Sequence, residues 1–153
     1  NPERRRLLQN DLDGIGPAAV EGVVRVASPV TYMRRTAARD LSLSGQDFVE
    51  GDKVVLMYAS ANRDPRIFDH PETFDVRRDP NPHLGFGGPG PHFCLGAHLA
   101  RREVSVAFRQ LLTRLPDIEV CGDPVPLQTM GMPLVGGIKS LPVRFTPTEP
   151  VGS

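Results

Sequence analysis

Proline and glycine cut this chain into short pieces, sixteen of the one and fifteen of the other. Each limits how far a helix or strand can run. The longest stretch free of both runs from Ala97 to Leu115. There Ala100, Val104, Ala107, Phe108, Leu111 and Leu115 recur on one side, with Arg101, Arg102, Glu103, Arg109 and Gln110 mostly opposite. That spacing predicts an amphipathic helix, ended by Pro116. A shorter helix is predicted over "GPAAVEGVVRVASP", where Pro17 suits the first turn, Val20, Val23, Val24 and Ala27 form the apolar stripe, and Pro29 closes it.

Between these helices, "VTYMRRTA", "DLSLSGQDF" and "DKVVLMYAS" cluster β-prone residues around turn signals at Ser44-Gly45 and Glu50-Gly51, which predicts a small antiparallel sheet. From Asn62 to Pro91 no period is sustained, and a structured loop of that length is usually functional or disordered. The tail "VPLQTMGMPLVGGIKSLPVRFTP" reads as a hairpin or two. There are no internal repeats.

The 153 residues and 39% hydrophobic content suit one domain or part of one. Eighteen Lys plus Arg balance eighteen Asp plus Glu, so net charge recommends neither nucleic acid nor an anionic membrane as a partner. Two cysteines, Cys94 and Cys121, stand in unlike settings without a preceding signal peptide, so free thiols in a reducing, cytoplasmic compartment are expected. The chain begins at Asn1 in a charged segment, "NPERRRLL", that reads like the middle of a helix. A fragment is the expectation.

Within "HLGFGGPGPHFCLGAHLARREV", Cys94 lies just before the long predicted helix. Free N–H groups and the positive end of the helix dipole there favour a thiolate. Gly85, Gly87, Gly88, Gly90 and Gly96 leave backbone able to turn sharply or lie against a flat ligand. Two other readings stand beside this one. Cys94 can be a buried thiol at an ordinary glycine-rich turn, or it can join His83, His92 and His98 on a zinc ion, although their spacing is irregular. Cys121 in "VCGDP" has no His or Cys neighbour and reads as a loop thiol without a role.

The series Phe86, Gly90, His92, Cys94, Gly96 closely resembles the cysteine-ligand loop of the cytochrome P450 family. In the commonest family pattern the Phe precedes the Cys by seven residues; Phe86 stands one further away. The "GFGG" lead-in resembles the variant of bacterial members, mycobacterial in type, that oxidise lipids and steroids. "RRTAARD", with Arg35 and Asp40, resembles the strand that gives an arginine to a haem propionate. Phe68, Pro71, Glu72, Phe74, Arg78 and His83 resemble the meander that leads into the cysteine loop. The likeness runs in the family's order from about Pro17 to about Pro142.

The resemblance implies an α+β, mainly α architecture: the C-terminal part of the cytochrome P450 fold, with helix, small antiparallel sheet, meander, cysteine loop, long helix and terminal β-hairpins. Residues 1–153 would be its haem-ligand portion, the upstream half lying outside the sequence. Haem b would be the cofactor, with Cys94 as axial iron ligand, the ligation that defines this family. Phe86, Gly88 and Gly96 would shape the cofactor loop, and His92 and Arg35 would answer the propionates. Val30, Tyr32 and Met33, with Met132, Pro133, Leu134 and Val135, fall where the family places two substrate-recognition segments. They are apolar and imply a hydrophobic substrate, tilted by "GIKSLPV" and "GFGG" toward a sterol or branched fatty acid. Electrons would come from a separate ferredoxin- or flavin-type donor, such as a ferredoxin with its reductase, because no dinucleotide fingerprint follows a strand. Arg101, Arg102 and Arg109 could meet an acidic donor or form an ordinary solvated face.

One departure is conspicuous. The family's Glu-x-x-Arg joins two arginines through a carboxylate, and Arg25 and Arg78 match those arginines, but Gly22 stands at the Glu position. Glu21 is four residues before Arg25, which permits a pair, yet one position away is about 100° around a helix and points to a different face. Two functional outcomes follow: the haem-ligand portion of a haem-thiolate monooxygenase, or a truncated or degenerate fragment without turnover.

Overall fold

The computed structural model describes residues 2–127 and 134–147. Met132 and Pro133 lie outside the described residues. The charged opening segment forms α1 (Pro2–Asn10), and the next predicted helix forms α2 (Gly16–Ala27), with proline in its first turn. Ser28 ends α2 in the left-handed region at φ 39°, its N–H bonded to the Val24 carbonyl. The long helix is α4 (Ala97–Arg114).

The predicted sheet is two separate antiparallel ladders. Strands β1 (Tyr32–Thr36) and β4 (Lys53–Met57) pair, with Arg35 opposite Val54. Between them β2 (Leu41–Leu43) and β3 (Gln46–Phe48) form a hairpin. Its turn is Ser44-Gly45, at φ 52° and 77°. Positive φ at both central residues matches the twist of the flanking strands, which is why Gly is suited there. One helical turn, α3 (Tyr58–Ala61), follows β4, and the segment from Asn62 to Gly96 then has neither helix nor strand.

The tail pairs in a nested manner. Strand β5 (Glu119–Val120) joins β8 (Val143–Arg144), and β6 (Val125–Pro126) joins β7 (Ile138–Ser140). Its inner pair answers to the hairpin expected from sequence, while the outer pair closes over it.

The core gathers Leu8 of α1, Ala19 of α2, Val76 of the long loop and Leu112 of α4, with Leu12, Phe74 and Phe108 packed against it. Gln9 donates to the Pro116 carbonyl at 3.1 Å, and Arg5 donates to that of Ile118, tying α1 to the end of α4. The predicted stripe of α4 needs correction: Leu112, outside it, is buried, while Ala107 and Leu111 are exposed. The helix meets α1 and α2 on a face rotated from the one its apolar spacing selects. A cavity of about 680 Å³ opens between α1, α2 and α4 beside this core, and neither Cys94 nor His92 nor Arg35 lines it. Among the described residues, no helix is long and apolar enough to cross a membrane.

Candidate functional site

Cys94 is a free, exposed thiol three residues before α4. Its N–H donates to the Phe86 carbonyl at 2.9 Å, and its carbonyl accepts from Ala97 at 3.2 Å, in the first turn of the helix. The loop therefore closes on itself before the helix starts. Gly87 (φ 87°) and Gly90 (φ 129°) make the reversals, a conformation that L side chains rarely adopt. No atom lies within 4 Å of where a Cβ on Gly88 would stand, and a Cβ on Gly96 would stand 3.9 Å from the Cys94 Sγ. Leu95 is 101% exposed and Leu99 is exposed as well, so the thiol sits beside open apolar side chains.

His92 is exposed and makes no hydrogen bond or ion pair among the described residues. Arg35 is exposed on β1, and among the described residues its guanidinium bonds only the Arg34 carbonyl, at 3.0 Å. Both retain donors for an anionic ligand group. The two segments expected to meet substrate do come together: Val30 and Val135 form an antiparallel bridge, and Thr31 N–H donates to the Leu134 carbonyl at 3.0 Å. Val30 and Tyr32 are half-buried, while Met33, Leu134 and Val135 are exposed.

The zinc alternative does not survive the geometry. Among the described residues no three His, Cys, Asp or Glu side chains gather as a metal site. His83 is instead engaged elsewhere: Nδ1 accepts from the Gly85 N–H at 3.1 Å, and Nε2 lies 2.9 Å from Glu21. A single thiol in a glycine-rich loop with open apolar surroundings suits a flat porphyrin better than a tetrahedral ion.

Arg25 is 1% exposed. Among the described residues it has no carboxylate partner: its guanidinium donates to the carbonyls of Asn62 (3.0 Å), Pro71 (2.7 Å) and Thr73 (2.9 Å), and it lies 5.1 Å from the Phe68 ring centroid. Nε has no partner. Burial pushes the guanidinium down from its ordinary value, Arg78 and Arg63 add repulsion, and Glu72 opposes them. Arg78 donates to the Asp69 carbonyl at 2.9 Å, and its buried Nε is also without a partner. The two arginines thus bracket the 69–73 turn through main-chain oxygens.

Glu21 corrects the possible pairing with Arg25. Its carboxylate takes two bonds from Arg101 of α4, at 2.6 and 2.9 Å, besides the contact with His83. The Arg101 hydrogen bonds hold the Glu21 carboxyl below its ordinary range, against burial and with help from His83. Arg109 pairs with Asp13 while remaining exposed, and Arg102 is exposed with no ion pair among the described residues, so Arg101 is the one of the three arginines drawn inward.

Sequence reasoning passed over Asn62 and Ser28. Asn62 is fully buried, donates to Ser28 Oγ at 2.9 Å, and accepts the Leu84 N–H at 2.7 Å. Ser28 Oγ in turn donates to the Arg25 carbonyl at 2.7 Å. This network fixes the start of the cysteine loop to the end of α2. The available signal was an Asn directly after a short helical run, a residue type that serves such caps.

The structure thus shows a glycine-rich turn that presents one exposed thiol just before a helix, the arrangement expected of a thiol-ligand loop. The family model described as Cytochrome P450 matches residues 17–140, and the chain belongs to that family. Members of the family bind haem b. The chain is 52% identical over 145 residues to the methyl-branched lipid omega-hydroxylase of Mycobacterium tuberculosis, covering 95% of this chain and 33% of that protein. It is 41% identical over 152 residues to a steroid C26-monooxygenase of the same organism, covering 99% and 38%. A solved Mycobacterium marinum cytochrome P450 in complex with pseudoionone superposes with a TM-score of 0.88 at 49% identity, covering 94% of this chain and 34% of that one. The chain spans about a third of the length of these relatives.

Proposed function

We propose that this chain is the C-terminal, haem-ligand portion of a cytochrome P450 monooxygenase that hydroxylates a hydrophobic substrate of the sterol or branched fatty acid class. The observation that carries the reading is the exposed Cys94 thiol, held by its N–H on the Phe86 carbonyl at the entrance to α4. Cys94 would give the thiolate, and glycine at 87 and 90 lets the loop turn without adding side chains beside it. When bound, haem supplies dioxygen activation, which a thiolate ligand favours by donating electron density. His92 and Arg35 hold the propionates by charge-assisted hydrogen bonds. Val30, Tyr32, Met33, Leu134 and Val135, brought together by the Val30–Val135 bridge, orient the apolar substrate and exclude water around it. Electrons arrive from a separate donor of the ferredoxin and ferredoxin reductase type. The names of the two mycobacterial relatives support the substrate class.

The test is the carbon monoxide complex of the reduced full-length protein. Its Soret band is expected at the red-shifted position of thiolate ligation and is lost in Cys94→Ala; a band typical of histidine ligation in the wild type refutes the assignment. A second reading, a fragment without turnover, is favoured by the open apolar side chains of Leu95 and Leu99 next to the thiol. For the 153-residue chain expressed alone we expect aggregation and no retained haem. Hydroxylation of a sterol or fatty acid by that chain with donor proteins would exclude this reading.

A further inference from the structure

Glu21 and Arg101 are 80 positions apart, yet they form a two-pronged ion pair between α2 and α4. Such a fork fixes the plane of a guanidinium as well as its place. The Arg101 guanidinium lies 4.5 Å from the Phe86 ring centroid. Phe86 is also the residue whose carbonyl receives the Cys94 N–H, and its ring tilts against Phe93, the neighbour of Cys94, at 6.5 Å. His83 completes the enclosure: with its Nδ1 accepting from Gly85, its proton is on Nε2 and points to Glu21, while its ring leans on Phe86 at 5.9 Å. The Glu21 hydrogen bonds hold Arg101 above its ordinary value, with a smaller contribution from the direction of Cys94.

We propose that Glu21 and Arg101 are positioning residues for the Cys94 thiolate: the carboxylate pins one guanidinium against Phe86, and their pairing keeps either charge from shifting, alone, how readily the thiolate-ligated iron would accept an electron. The inference rests on the reading of Cys94 as the haem ligand. Reduction by the external donor would add one electron to the haem. A nearby positive charge favours that gain and a nearby negative charge opposes it. In the intact pair the two fields largely cancel. Removing either member leaves the other uncompensated in a half-buried setting, where screening is incomplete.

The experiment is a dithionite titration with redox mediators of the full-length haem-loaded protein, read by its absorption spectrum. Glu21→Gln is expected to raise the midpoint potential and Arg101→Gln to lower it, with the double variant returning toward the wild type. Shifts of opposite sign are the decisive signature, because loosening of the loop alone would move both variants the same way. Equal potentials, or shifts of one sign, in variants that keep the thiolate-type carbon monoxide band overturn the proposal. If only one variant takes up haem, the direction of its shift decides. If neither does, the pair serves folding and the proposal is overturned. A wild type without the thiolate-type band instead removes the assignment of Cys94 itself.

Discussion

Replacing Gly22 by Glu and, separately, by Gln tests whether buried Arg25 and half-buried Arg78 lack a counter-charge. Gly22 is buried in α2, and a Cβ there would lie 3.2 Å from Phe74 Cε2 and 3.4 Å from the Asp75 carbonyl oxygen. Those distances require the Phe74 ring to yield by a few tenths of an ångström. Phe74 is half-buried, so the cost falls at the low end of overpacking, about 1 kcal/mol. Replacing a helix-interior glycine recovers about 0.5–1 kcal/mol. Those two terms nearly cancel, and they are common to Glu and Gln. What separates the variants is the charge. A carboxylate three residues before Arg25 shares its helix face, and a hydrogen bond to a charged group contributes about 1.5–3 kcal/mol. Gly22→Gln is therefore expected within about 1 kcal/mol of the wild type, and Gly22→Glu about 1.5–3 kcal/mol more stable than Gly22→Gln. Urea unfolding of the full-length protein, followed by far-UV circular dichroism, measures the difference, and an Arg78→Ala background apportions it between the two arginines. Equal stability of the Glu and Gln variants would refute the reasoning: three carbonyls and the Phe68 ring would then already balance Arg25.

Asn62→Ala removes a fully buried amide, takes from the Leu84 N–H its acceptor and from Ser28 Oγ its donor, and leaves Ser28 only its bond to the Arg25 carbonyl, so a loss of about 1–3 kcal/mol is expected in the same unfolding assay; a loss below about 0.5 kcal/mol contradicts the role given to this network. Gly85→Ala would bring a Cβ to 2.5 Å from Val24 Cγ1 and 3.2 Å from the Val24 carbonyl oxygen, and is expected to cost about 1–3 kcal/mol. A thermal midpoint equal to the wild type would show that the loop and α2 are less closely packed. The carboxyl of Glu21 is held below its ordinary value of 4.5, so its contribution is fully present above that value and is lost as pH falls through the lowered one. The stability advantage of the wild type over Glu21→Gln is thus expected to hold at pH 7 and to shrink in acid; an advantage that grows in acid contradicts the pairing.

Much of this protein is legible as local pattern. Helices α2 and α4, the Ser44-Gly45 turn and the loop that ends at Cys94 follow from residues close together in the chain, because backbone periodicity and positive φ are short-range properties. The family likeness of that loop was equally a matter of order along the chain. Partner choice was not. Spacing allows Glu21 to reach Arg25, and only packing shows that the carboxylate leaves on the other face of α2 for Arg101. Burial of Arg25 among three carbonyls, the meeting of Val30 with Val135 and the turning of Leu112 into the core each depend on elements brought from far along the chain. Sequence determined which groups were present and which local conformations they favoured; tertiary structure decided which charges were paired, because desolvation and hydrogen-bond geometry depend on neighbours that local spacing does not specify.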